Sequence, residues 1–349
     1  MGGVEPAQPV RAALWSKWRG GPRVHCFLCA HHCLIAPGER GRCGVRENRD
    51  GVLYTLVYGR AVSTAVDPIE KKPLFHFLPG SRTFSLATVG CNFVCDFCQN
   101  SDISQMPRER GAIVGDLHPP EEIVRAALET GCLSISYTYT EPTVFYEYAR
   151  DCARLAVENG LKNVFVTNGY MTGQALQDID GLLHAANVDL KAFSDDFYRS
   201  FAGARLKPVC DTIRRMWDMG MWVEVTTLLI PGRNDGADEL HSLAAFLASL
   251  SPDIPWHVSR FYPAYGLLDT PPTPVSTIER ALAIGREEGL NYIYGGNIPG
   301  HDSESTLCPG CGEVVIERQG YRVARRPVSG GKCPRCGRSI AMREREVES

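Results

Sequence analysis

The stretch TFSLATVGCNFVCDFCQN (83–100) sets an apolar, strand-like run directly before three cysteines, Cys91, Cys95 and Cys98, spaced C-x3-C-x2-C. Thiols this close in sequence suit a metal group better than a disulfide, because one tight loop can turn them all toward one centre. A zinc ion here would need a fourth ligand, and the residues that follow offer only oxygen and amide groups. A cubane iron–sulfur cluster ordinarily takes four cysteines. With three, one iron keeps an open coordination position that a small amino-carboxylate can chelate.

Outward from this loop, residues 83 to about 295 alternate two kinds of segment. The strand-like runs are TFSLATV (83–89), LSISYTY (133–139), NVFVTNG (163–169), ANVDLKA (186–192), WVEVTTLLI (222–230) and WHVSRFY (256–262). Amphipathic stretches such as PPEEIVRAALE and ADELHSLAAFLASL fall between them. This alternation predicts an α/β fold with parallel strands and crossover helices. Six units are too few for the closed eight-stranded barrel but suit a partial (β/α)6 barrel, with a doubly wound sheet as the alternative. Both place binding residues in loops after the strands' C-terminal ends, where Cys91–Cys98 falls. The expected organisation is a Cys-rich metal-binding domain at 1–80, the partial barrel at 81–299, and a ribbon with a charged tail at 300–349.

Two further cysteine sets flank the barrel. Cys308, Cys311, Cys333 and Cys336 form two CPxCG knuckles, the pattern of a zinc ribbon, with a rubredoxin-like iron as the rival. Such a ribbon folds around its own metal, so removing it at about residue 300 is expected to leave the barrel folded. Cys26, Cys29, Cys33 and Cys43 suffice for zinc or for a second cluster, with His25, His31 and His32 as substitutes; structural zinc is the favoured expectation. The isolated Cys132, Cys152 and Cys210 read as core thiols.

Fourteen cysteines arranged this way fit a reducing compartment. A net charge of -3 supplies no field to draw in nucleic acid or an anionic membrane. No apolar run approaches the roughly 18 residues of a spanning helix, and MGGVEPAQPV lacks the features of a signal peptide. The cytoplasm is the expected location.

The cysteine loop and its place after the first barrel strand resemble the radical S-adenosylmethionine superfamily. The resemblance implies a [4Fe–4S] cluster on Cys91, Cys95 and Cys98, with S-adenosylmethionine on the open iron. Phe97 matches the aromatic position near the adenine. In YTYTEPTVF (137–145), Glu141 matches the acid of the superfamily's Gly-Gly-Glu segment, which binds the ligand's ammonium; Tyr139 and Thr140 stand in place of the glycines. VTNG (166–169) resembles the activating-enzyme D-T-N-G segment, retaining Asn168 but not the acid. VDLKAF (188–193) matches D-L-K and supplies Asp189 and Lys191, the lysine being placed to pair with the ligand's carboxylate. By this resemblance Phe97, Thr140, Glu141, Asn168, Asp189 and Lys191 are the candidate cofactor contacts.

Outside the barrel, CFLCAHHCLIAPGERGRCGVREN (26–48), DPIEKKPLFHFLPGS (67–81) and GGNIPGH (295–301) look like the AmmeMemoRadiSam-system radical enzymes, relatives of the pyruvate formate-lyase activating enzymes. That likeness implies an oxidoreductase-like enzyme of anaerobic cytoplasm that makes a 5′-deoxyadenosyl radical and abstracts hydrogen from an unnamed substrate. It further implies Memo-like and AMMECR-like partners and an electron donor such as flavodoxin or ferredoxin. Two alternatives stand beside it: a glycyl-radical-enzyme activating enzyme, and a non-catalytic metal-binding scaffold. No eight-cysteine ferredoxin insert follows Cys98, since the next cysteine is Cys132.

Overall fold

The computed structural model describes residues 10–11, 16–18, 21–300, 302–328 and 330–344. Its centre is one eight-stranded sheet: β1 (Ser63–Pro68), β2 (Arg82–Ala87), β3 (Ser134–Tyr137), β4 (Lys162–Thr167), β5 (Ala185–Asp189), β6 (Trp222–Leu229), β7 (Trp256–Arg260) and β8 (Ile293–Gly296). The strands lie side by side in chain order, β1 antiparallel to β2 and all the others parallel. The first and last strands do not pair, so the sheet stays open.

Six helices make the crossovers: α1 (Pro120–Glu129), α2 (Tyr146–Glu158), α3 (Gly173–Asp178), α4 (Leu206–Asp218), α5 (Ala237–Leu250) and α6 (Val275–Glu287). Each buries an apolar stripe; on α4 it is Val209, Ile213 and Met216, spaced by about one helical turn. On α2 the small residues Ala149, Cys152, Ala153 and Ala156 are fully buried. Side chains that short let a helix lie close on its neighbours.

Seven parallel strands form where six were expected. The seventh, β8, reads IYGG, and its two glycines hide the β-branched signal. Tertiary packing makes it a strand. A Cβ on Gly285 of α6 would stand 3.0 Å from Ile293 and 3.1 Å from Trp256, so glycine allows α6 to press β8 against β7. The strand β1 comes from the segment expected in the N-terminal domain, yet it completes the central sheet along its whole length.

The segment between β1 and β2 crosses the sheet near the start of its strands. Glu224, near the N-terminal end of β6, is fully buried and accepts from the Phe75 and His76 amides at 2.9 and 2.8 Å. It also pairs with His257 and accepts from the Trp222 indole at 3.0 Å. Asn187 donates to the Pro73 carbonyl at 2.8 Å. A buried carboxylate demands such partners, and the crossing segment supplies them.

The C-terminal ribbon, β9 (Thr306–Leu307), β10 (Val314–Gln319) and β11 (Arg322–Arg325), does not stand apart as knuckle spacing suggested. Its Val315, Ile316 and Ile340 share one core with Phe75, Tyr292 and Tyr294 of the barrel. Arg318 reaches into the barrel, donating to the Phe75 carbonyl at 2.6 Å and lying 3.7 Å from the buried Glu70. His76 bonds the Ala341 carbonyl and the Tyr294 hydroxyl. Cutting near residue 300 would expose this shared core.

The N-terminal region packs against the β4–α3 connection and α2. The Ala30 amide donates to Tyr170 and the Thr172 amide to Leu28, while buried Arg46 grips Glu147 of α2 with two bonds at 2.8 and 2.7 Å. No described helix is long and apolar enough to cross a membrane.

Candidate active site

The loop after β2 carries Cys91, Cys95 and Cys98 at the C-terminal end of the sheet. It starts at Gly90, whose φ of +102° and whose surroundings both exclude a side chain: a Cβ would meet Val45 at 2.6 Å. The Val94 and Asp96 amides donate to Ala202 and Phe201 at 3.0 and 3.2 Å, which holds the loop against the β5–α4 connection. The Phe93 amide points at the Cys91 sulfur at 3.4 Å, and the Ser104 hydroxyl lies 3.2 Å from the Cys98 sulfur.

These residues fit an iron–sulfur cluster. The three sulfurs do not all lie within 4.8 Å of one another, which is too open for a single small ion. Asn92, between the thiols in sequence, is buried, and its side-chain nitrogen has no hydrogen-bond partner, leaving a donor for a sulfide or a ligand oxygen. Burial pushes the Cys95 thiol up to about 12 and Cys91 well above its usual range, so metal binding must displace their protons.

Glu141 reaches this loop from the end of β3. Its Oε1 accepts from the Thr143 amide (3.0 Å), the Thr143 hydroxyl (2.5 Å) and the Thr167 hydroxyl (2.7 Å), and Oε2 accepts from the Asn168 amide (2.8 Å). Burial pushes its carboxyl above the usual range, although those four donors favour the anion. Glu141 thus caps the short turn Pro142–Phe145, and Oε2 still has a lone pair free for a cation. Asn168 donates to the Asn92 side chain at 2.7 Å, tying the end of β4 to the cysteine loop. The Thr140 hydroxyl donates to the Thr88 carbonyl at 2.8 Å, two residues before the start of the cysteine loop. Tyr139, held at φ +63°, sends its hydroxyl to Asp67.

On the far side of the loop, Lys191 lies 3.1 Å from Asp189 and 5.7 Å above the Phe97 ring. Burial alone would lower its ammonium, but Asp189 and the Cys95 sulfur hold it above its usual value. Asn234, from IPGRND, bonds the Lys191 carbonyl at 2.6 Å. Phe97 is buried beneath the loop, 5.8 Å from Phe197. An acid therefore meets the loop through Asn168 and Asn92, and an ammonium lies over the ring of Phe97 in the same loop.

Beside Asp189, Thr226 is its registered neighbour on β6 and opens a cavity of about 670 Å³. His257, Ser259, Asn297 and Arg318 line it, and the ribbon turn at Tyr321 closes one side. None of these residues was legible as a site in sequence. Their polarity inside β-branched strands was the available signal, since a sheet face that is only core has no use for it.

The ribbon thiols are arranged differently from the central three. Cys308 and Cys336 lie 3.6 Å apart, as do Cys311 and Cys333. Among the described residues, this is the one group of three or more His, Cys, Asp or Glu whose ligand atoms all fall within 4.8 Å. A tetrahedral ion with 2.3 Å arms to sulfur sets its ligands about 3.8 Å apart.

The chain resembles known proteins over all or part of its length. The chain is 45% identical over 334 residues to an uncharacterised protein of Methanocaldococcus jannaschii, covering 95% of this chain and 99% of that one. It is 22% identical over 175 residues to the pyruvate formate-lyase-activating enzyme of Clostridium pasteurianum, covering 49% of this chain and 71% of that one. A solved radical SAM methyltransferase from Sphaerobacter thermophilus aligns with a TM-score of 0.48 at 22% identity, over 63% of this chain and 67% of its own. The Radical SAM superfamily description matches residues 85–247, from within β2 into α5 and across the whole cysteine loop. Residues 85–247, with the thiol loop inside them, are thus a radical SAM domain with homology to the activating enzymes of glycyl-radical enzymes.

Proposed function

We propose that this protein is a partial-barrel enzyme that cleaves S-adenosylmethionine reductively and uses the resulting 5′-deoxyadenosyl radical to take hydrogen from its substrate. The reading rests on one observation: the three-thiol loop carries groups of opposite sign at its rim, Glu141 tied to it through Asn168, which bonds Asn92, and Lys191 held 5.7 Å over the Phe97 ring. That polarity is complementary to an amino-carboxylate. Cys91, Cys95 and Cys98 would hold the [4Fe–4S] cluster, which when bound supplies the electron and the open iron.

The chain's own residues bind and orient. Glu141 offers its Oε2 lone pair to the ligand ammonium, and Lys191 its charge to the carboxylate. The buried Asn92 nitrogen donates toward the ligand or cluster, and Phe97 floors the pocket. The cavity beside Thr226 and His257 receives the substrate, with the ribbon shielding it from solvent. Its size suits a small polar molecule or a single side chain.

The ribbon is assigned zinc on its tetrahedral spacing. The likeness to AmmeMemoRadiSam-system enzymes further supports Memo-like and AMMECR-like partners, with a flavodoxin or ferredoxin as reductant in an anaerobic cytoplasm. A second reading, activation of a glycyl-radical enzyme, is favoured by the similarity to the pyruvate formate-lyase-activating enzyme. Anaerobic protein supplied with dithionite and S-adenosylmethionine should release 5′-deoxyadenosine. Absence of that product from iron-loaded protein would remove the main reading. Deuterium passing into 5′-deoxyadenosine from a labelled partner glycine, rather than from a small molecule, would favour the second.

A further inference from the structure

We infer that Cys26, Cys29, Cys33 and Cys43 hold a second iron–sulfur cluster rather than zinc. All four line one small enclosed pocket, together with His31 and Arg46. Four thiolates from a single segment could serve either group, so the spacing of their sulfurs decides between them.

No three of these sulfurs lie within 4.8 Å of one another. Zinc draws its ligands to the corners of a small tetrahedron, about 3.8 Å apart, as the ribbon thiols nearly are. A cubane sets its cysteine sulfurs about 6 Å apart, because four irons and their sulfides stand between them. One chain therefore shows both arrangements. The ribbon is closed at 3.6 Å, and the Cys91, Cys95 and Cys98 triad is open. The N-terminal set, like the triad, forms no such closed group.

Arg46 gives a second, independent indication. It lines the pocket and is 2% exposed, and both terminal nitrogens are committed to Glu147. Its Nε has no partner. A buried N–H left unpaired costs stability unless something accepts it, and a cluster sulfide or thiolate is a suitable acceptor.

The pocket adjoins the first cluster loop. His31 bonds the Asn92 carbonyl at 2.8 Å, and Arg108 donates to both the Arg42 carbonyl (2.6 Å) and the Cys91 carbonyl (2.9 Å). Thr143, in the pocket wall, is one of the residues that hold Glu141. Two clusters so placed would perturb each other's magnetic resonance when both are reduced.

The test is made on the full-length chain, purified and reconstituted anaerobically with iron and sulfide. It should hold about eight irons and one zinc per chain, from two cubanes and one ribbon. The Cys91→Ala/Cys95→Ala/Cys98→Ala variant should keep about four irons as a [4Fe–4S] species in Mössbauer spectra. The resonance of its reduced form should not shift on adding S-adenosylmethionine, because a four-thiolate cluster has no open iron. Four irons in the unmodified protein, with or without a second zinc, would overturn the assignment, whether or not the triple variant folds. An iron-free triple variant that still folds and holds two zincs would overturn it as well.

Discussion

The Thr167 hydroxyl donates to Glu141 Oε1 at 2.7 Å, and the next amide in the chain, Asn168, donates to Oε2 at 2.8 Å. One carboxylate thereby ties the end of β4 to the end of β3. It does so where Asn168 bonds Asn92 of the cysteine loop, so the group that shapes the rim of the site also carries charge into it.

Replacing Glu141 with Gln removes that charge and presents an amide nitrogen to one of the donors. Loss of a charge-assisted bond costs roughly 1.5–3 kcal/mol, or about one to two decades of affinity. Glu141→Gln should therefore keep its iron and bind S-adenosylmethionine about ten- to a hundredfold more weakly on that scale. Titration of the reduced cluster by electron paramagnetic resonance measures it. Unchanged affinity would leave Glu141 as a turn cap and nothing more.

Lys191→Met tests the opposite charge. The Asp189 side chain it leaves behind is 36% exposed, so water can solvate it and the fold should lose little. Affinity for S-adenosylmethionine should fall about tenfold, near 1.4 kcal/mol, with iron content unchanged. A variant that loses iron instead would place Lys191 in cluster assembly.

Arg318→Met probes the joint between ribbon and barrel. It removes the bonds to Phe75 and Thr306 and leaves Glu70 buried without its cation. Breaking one side of a buried pair costs roughly 3–5 kcal/mol. Urea unfolding should show a loss of that order, and adding Glu70→Gln should restore part of it. A loss below about 1 kcal/mol would mean that the ribbon contributes little to the barrel.

His76 makes the same joint sensitive to acid. Burial lowers its pKa from 6.5 to about 4, against the pull of Glu224 and the Ala341 carbonyl, while Arg318 and His257 add to the lowering. The unfolded chain therefore binds more protons between those values. Stability is full above about pH 6.5 and falls toward pH 4, by up to roughly 3 kcal/mol from this residue. Hydrogen exchange should show the Arg343 and Leu78 amides, which bridge ribbon and barrel, opening first in that window. Protection there that is flat from pH 7 to 4.5 would count against it.

Much of this protein is written in local sequence. Alternating β-branched and amphipathic runs placed β2 to β7 with helical stretches between them, because periodicity reports which side of an element meets the core. Cys91, Cys95 and Cys98 were legible because close spacing leaves thiols little choice of partner, and the ribbon knuckles for the same reason. Other features depend on partners remote in the chain. β8 is too rich in glycine to declare itself, and β1 is a strand only because β2 offers an edge 14 or more residues away. Glu224 gives no sign in sequence that it anchors Phe75 and His76, about 150 residues earlier. The four N-terminal cysteines show most clearly where the division lies. Their number and spacing in the chain admit zinc, the favoured expectation, or a cluster, and only folding sets how far apart their sulfurs stand, which is the property a metal group selects.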